Sequence, residues 1–143
     1  MTAVEFHTGI ALPLDFACRL LRKAYRRGAR ALVMAPGAAL AQLDERLWTF
    51  DAHEFVPHLR WRAQLAAQAA RTPVWLVAGE VPEGAPPLLV NLGADAVAVP
   101  TAFERIIEIV GVDDESRRAA RLRWRQYEAC GLGPIHHAAA EAG

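Results

Sequence analysis

At 143 residues, 53% of them hydrophobic and 22% charged, the chain can bury a real core, which excludes a disordered segment and points to one domain. Its 16 Lys and Arg balance 16 Asp and Glu, which excludes a nucleic-acid binder that works by overall basicity and makes any electrostatic preference local. No apolar stretch nears the roughly 20 residues of a membrane span, and the start, MTAVEFHTG, lacks a basic segment followed by an apolar run, so a cytoplasmic protein without membrane association is expected.

Ala3 to His7 reads as a short strand. Pro13 opens a helix at its favoured first position and Gly28 closes it, with Leu14, Cys18, Leu21 and Tyr25 along the inward stripe. Arg22, Lys23, Arg26 and Arg27 load its C-terminal end, where positive charge suits the helix dipole. Ala31-Leu32-Val33-Met34 is apolar throughout, as in a strand buried on both faces. Pro36-Gly37 turns into a second helix with Leu40, Leu43 and Leu47 inward. One glycine and no lysine at that turn argue against a phosphate loop.

In the following LDERLWTFDAHEFVPH, the residues Trp48, Phe50, Phe55, Val56 and Pro57 crowd a loop. Such a block either plugs the edge of a core or forms a protein-binding patch. His58, next to Pro57, reads as a structural hydrogen-bonder and not as a base. Leu59 to Arg71 is alanine-rich and reads as helical, Val74 to Val77 as a third buried strand, and Gly79 to Pro87 as a loop. Leu88 to Leu92 is a fourth strand, followed by the less regular Gly93 to Ala102.

The last strand and helix carry the most information. Arg105 to Val110 alternates β-branched residues, a turn follows at Gly111-Val112, and Asp113 is placed to cap a helix whose first turn holds Asp114 and Glu115. Five arginines fall between Arg117 and Arg125. Helical spacing gathers Arg117, Arg121, Trp124 and Arg125 into one ridge, leaving Ala119, Leu122, Ala129 and Cys130 to dock on the sheet. The ridge is either a solvated face or an interaction surface, and the tryptophan among guanidiniums favours the second. An acidic peptide with a hydrophobic end, or a nucleic-acid backbone, suits it. Cys18 and Cys130 are expected to be buried free thiols. Gly131 ends the helix, and residues 133–143 are expected to be a loosely ordered tail after a domain spanning 1–132.

Strands alternating with helices indicate an α/β domain with a mainly parallel sheet and helices on both faces. Only Glu80 and Asp95 are ionisable just after predicted strands, and the sequence lacks G-x-S-x-G, C-x-x-C and H-E-x-x-H. His136-His137 lacks a spaced third ligand, so no metal site is assigned beyond adventitious affinity. No catalytic residue and no cofactor are expected.

LDERLWTFDAHEFVPH, the strand LLVNL and FERIIEIVGVDDESRRAARLRWRQYEACGL closely resemble the chi-subunit family of bacterial DNA polymerase III, in the same order over nearly the whole chain. The most specific pieces are the LDxxLW…FVPH block and the ending R-x-R-[WY]-[KR]-x-Y. The resemblance implies a single Rossmann-like domain without nucleotide chemistry and a non-catalytic role in the clamp-loader assembly. It implies two partners, the psi subunit and the acidic, hydrophobic-ended C-terminal tail of single-stranded-DNA-binding protein, with DNA contacted only indirectly or weakly. Carried over, the tail-binding positions are Val110, Arg117, Arg121, Trp124 and Arg125, and the psi-facing positions are Trp48, Phe55, Val56 and Pro57. Glu128 stands on the ridge side where relatives can have a basic residue, and Arg60 to Arg71 is longer than the glycine-rich connection of some relatives. The alternatives are a small Rossmann-like enzyme or nucleotide-binding domain, and direct single-stranded-DNA binding by the ridge.

Overall fold

Strands that are apolar along their whole length need cover on both faces, and parallel pairing with crossover helices supplies it. In the computed structural model, which describes residues 1–139, every strand pair is parallel. The elements run β1 (Ala3–Ile10), α1 (Pro13–Arg26), β2 (Ala31–Met34), α2 (Gly37–Thr49), β3 (His58–Arg60), α3 (Ala66–Ala69), β4 (Val74–Val77), β5 (Leu88–Asn91), β6 (Arg105–Gly111), α4 (Asp114–Ala129) and β7 (Ile135–Ala138). The sheet has 7 strands in the order β3-β4-β2-β5-β6-β1-β7, the expected α/β architecture.

Alternate residues of each strand feed two cores. Ala31, Val33, Val74, Leu76, Val90, Ile107 and Ile109 pack against Cys18 and Leu21 of α1 and Leu40, Leu43 and Leu47 of α2. Phe6, Leu32, Trp75, Leu89, Ile106 and Val110 form the other core, closed by Ala120 and Tyr127 of α4. No helix among the described residues is long and apolar enough to cross a membrane.

Three local expectations are corrected. The alanine-rich stretch from Leu59 is mostly not helical: it begins with the edge strand β3, and the Trp61 amide donates to the Leu76 carbonyl at 2.8 Å. Trp61 then stacks on Trp75 with ring centroids 5.0 Å apart. Pairing and aromatic burial override alanine's helix propensity, leaving a 3-residue 3-10 turn and the 4-residue α3. In the expected loose tail, Ile135–Ala138 adds to the sheet beside β1 as β7, because an open parallel edge offers unpaired backbone groups. Residues 140–143 of that tail lie outside the described residues.

The third correction concerns α4. Its inward residues are Ala120, Arg123 and Tyr127, whereas Leu122 is 57% exposed and Ala129 and Cys130 face water. An arginine on the buried face is compensated by Glu108 of β6, which is 0% exposed. Arg123 Nε donates to Glu108 Oε1 at 2.8 Å, while the Tyr127 hydroxyl at 2.6 Å and Asn91 Nδ2 at 3.0 Å donate to Oε2. Register explains the meeting, since Glu108 lies beside both Phe6 and Asn91. Burial pushes the Glu108 carboxyl up from its usual range, opposed mainly by Arg123. Burial, followed by the charge of Glu108, pushes the Tyr127 phenol up as well and keeps it a donor.

Candidate functional site

The beginning of α4 is built by its sequence. A Cβ on Gly111 would lie 3.1 Å from Asp113 Oδ1, so glycine leaves room for the cap. Asp113 Oδ2 accepts from the Ser116 amide at 2.9 Å, and that hydrogen bond holds the carboxyl below the usual carboxylate range. At the other end Gly131 adopts φ +80°, the Gly131 amide donates to the Glu128 carbonyl and the Leu132 amide to that of Tyr127. This glycine cap turns the chain towards β7. α4 is thereby fixed across β1 and β6.

Between α4 and the strand ends lies a groove of about 410 Å³, lined by Phe6 and Thr8 of β1, Val110 of β6, His136 of β7, and Arg117, Ala120, Arg121 and Trp124 of α4. Val110 is 1% exposed and forms part of an apolar floor with Phe6 and Ala120. Trp124 is half-buried, its ring 5.1 Å from that of Phe6 and tilted by 54°, so one side is packed while the indole still lines the groove. Packing of this kind contributes about 0.5–1.5 kcal/mol beyond area burial and orients the ring. The rim is cationic. Arg117 pairs with Asp114 one turn away, whereas Arg121 makes no salt bridge among the described residues.

The structure therefore brings Val110, Arg117, Arg121 and Trp124 together. Arg125 is exposed but does not line the groove, and Glu128 is exposed beyond it. His136 and Thr8 do line it, and sequence reasoning missed both. The alternation of β1 places Thr8 on the side of Phe6, so Thr8 was accessible to pattern reading; His136 was not, because β7 was unforeseen.

The aromatic block forms a second surface at the other end of the sheet. Trp48, at the end of α2, is 61% exposed and Phe55 44%, and their rings stack at 4.9 Å with 24° between planes. Val56 is buried and anchors the loop from below, and Pro57 is half-buried. The block thus divides, with two rings outside and Val56 plugging the core. His58 holds it together, its Nδ1 2.8 Å from the Val56 carbonyl oxygen and its Nε2 3.0 Å from Asp44 Oδ1. Arg22–Asp51 at 2.6 Å and Arg26–Glu54 at 2.7 Å tie the intervening loop to α1. The arginines of α1 therefore serve the loop as well as the helix dipole.

A cavity of about 720 Å³ lies beyond the carboxyl ends of β2, β4 and β5, where α/β enzymes often bind ligands. Its ionisable lining residues are Glu80 and Asp95, both acidic and so of the wrong sign for phosphate.

Comparison with known proteins decides the relationship. A family model described as DNA polymerase III chi subunit, HolC, matches residues 1–134. The chain belongs to the DNA polymerase III chi-subunit family. Chi relatives named DNA polymerase III subunit chi include one from Pseudomonas aeruginosa, 37% identical over 136 residues and covering 92% of each chain. The chi protein of Haemophilus influenzae is 33% identical over 118 residues, covering 78% of this chain and 77% of its own. That of Escherichia coli is 25% identical over 140 residues, covering 87% and 84%. The fold also resembles the C-terminal domain of the DEAD-box protein Dbp5, with a TM-score of 0.55 at 11% identity, covering 94% of this chi-family chain and 90% of that one. That likeness concerns the fold alone. Family membership assigns the chain a replication accessory role.

Proposed function

We propose that this chi-family chain is a non-catalytic adaptor of the DNA polymerase III holoenzyme, working in the cytoplasm. It links the clamp-loader complex, through psi, to the C-terminal tail of single-stranded-DNA-binding protein. The observation that carries the tail half of this reading is the groove under α4, where an apolar floor meets a guanidinium rim. A hydrophobic chain end fits against Phe6, Val110 and Trp124, while Arg121 and Arg117 meet its acidic groups and terminal carboxylate. Arg117 must exchange Asp114 for the ligand, so Arg121 provides the larger share. The exposed Trp48–Phe55 stack supports the psi half, since aromatic rings already held in place by packing anchor protein interfaces at low entropic cost.

Binding to the tail is expected on the order of micromolar and weakened by salt, because the charges on the rim are solvent-exposed. Several tails on one coated strand then raise the effective concentration. Calorimetric titration with the tail peptide tests this. Arg121→Glu should abolish binding while leaving the circular dichroism spectrum unchanged, and unaltered affinity would refute the assignment.

A further inference from the structure

Strand β7 carries histidines to opposite sides of the sheet edge. His136 lines the groove, while His137 stands opposite His7 in the parallel register. The His7 and His137 rings stack with centroids 4.9 Å apart and 20° between planes. Glu5 is two residues before His7 and shares its face of β1. A strand residue, its i+2 neighbour and the residue beside one of them on the next strand form the tightest triangle a sheet face offers. Here that triangle is two imidazoles and a carboxylate, each offering a ligating atom within 4.8 Å of the others.

We propose that Glu5, His7 and His137 form a three-ligand site for a divalent transition cation, with zinc as the reference ion, which fastens β7 to β1. Two imidazoles and a carboxylate suit zinc, and a fourth position open to water completes a tetrahedron. Bond lengths near 2.0–2.1 Å place tetrahedral ligand atoms about 3.3 Å apart. Glu5 Oε1 and His137 Nε2 are already 3.6 Å apart. The other carboxylate oxygen, Oε2, accepts from Arg105 Nε at 2.7 Å. Arg105 thus occupies one oxygen and leaves the other directed at the histidine, the arrangement of a second-sphere group that orients a ligand. Sequence reading gave His136-His137 only adventitious affinity for want of a third ligand. The fold supplies two, and it selects His137 over His136.

This proposal is independent of the tail-binding reading and is tested without the peptide. Tag-free, chelator-treated protein is titrated with zinc by calorimetry, as wild type, His137→Ala and His136→Ala, both substitutions lying on the exposed edge strand where folding is not at risk. The expected result is one zinc per chain, weakened at least about tenfold by His137→Ala and changed less than about twofold by His136→Ala. The His7 ring nitrogen resonances should shift on zinc addition, and β7 amides should exchange more slowly. Equal loss in both variants, an unmoved His7 ring, or no saturable binding below about 100 μM would overturn the proposal.

Discussion

The arginines of α4 look alike in sequence and differ in what they do. Arg123 is buried against Glu108, Arg117 is held by Asp114, Arg121 lines the groove without a salt bridge among the described residues, and Arg125 lies outside it. If the groove takes an acidic chain end, Arg121→Ala should weaken peptide binding by about tenfold or more, the loss of a charge-assisted hydrogen bond, with Arg117→Ala costing less and Arg125→Ala least. Calorimetry across the three variants checks this ranking. The cysteines also differ. Burial, and then the nearby Asp15, raises the Cys18 thiol to about 11, whereas Cys130 is exposed. One equivalent of a thiol reagent should therefore react in the folded state, at Cys130, and the second only after denaturation, as mass spectrometry of labelled peptides can show. The ridge of Arg117, Arg121 and Trp124 was legible from helical spacing. Arg123 was not, because an arginine reads as surface until a buried carboxylate is known to face it.

At the scale of the element, the Glu108–Arg123–Tyr127 network fixes how α4 lies on the sheet. Removing one partner of a buried ion pair strands the other charge, so Glu108→Leu or Arg123→Met alone should cost about 3–5 kcal/mol. The double variant should lose less than the sum by more than about 1 kcal/mol, as denaturant unfolding would report. The pH dependence has a definite sign. Burial raises Glu108 above its ordinary value of 4.5, so its protonation contributes stability that is complete below that value and lost as pH rises through the folded one. Arg123→Met removes the main opposing charge, so its melting temperature should fall more steeply than that of wild type as pH rises above the ordinary Glu value of 4.5. Strands that are apolar on both faces were readable because runs of 4 apolar residues bounded by turn signals are too short for a buried helix. β3 and β7 were not, since each is an edge strand too short and too polar to show a period, made by its neighbour's free backbone.

Across the whole molecule, sheet order keeps the two surfaces apart. The Trp48–Phe55 stack lies by β3 at one edge, and the groove lies by β1 and β7 at the other. From β3 to β1 there are five inter-strand spacings, about 24 Å. Two partners can therefore be held together, as an adaptor requires. If the stack is the psi contact proposed above, Trp48→Ala with Phe55→Ala should abolish capture of psi while leaving affinity for the tail peptide unchanged, because sites this far apart with no shared side chains act additively. The measurement that bears most directly on the adaptor reading is nuclear magnetic resonance titration of labelled protein with the unlabelled tail peptide. Shifts should gather on Phe6, Val110, Arg121, the Trp124 indole and His136, leaving the Trp48 indole in place. Shifts confined to the Trp48–Phe55 surface, or none at peptide concentrations well above micromolar, would contradict it.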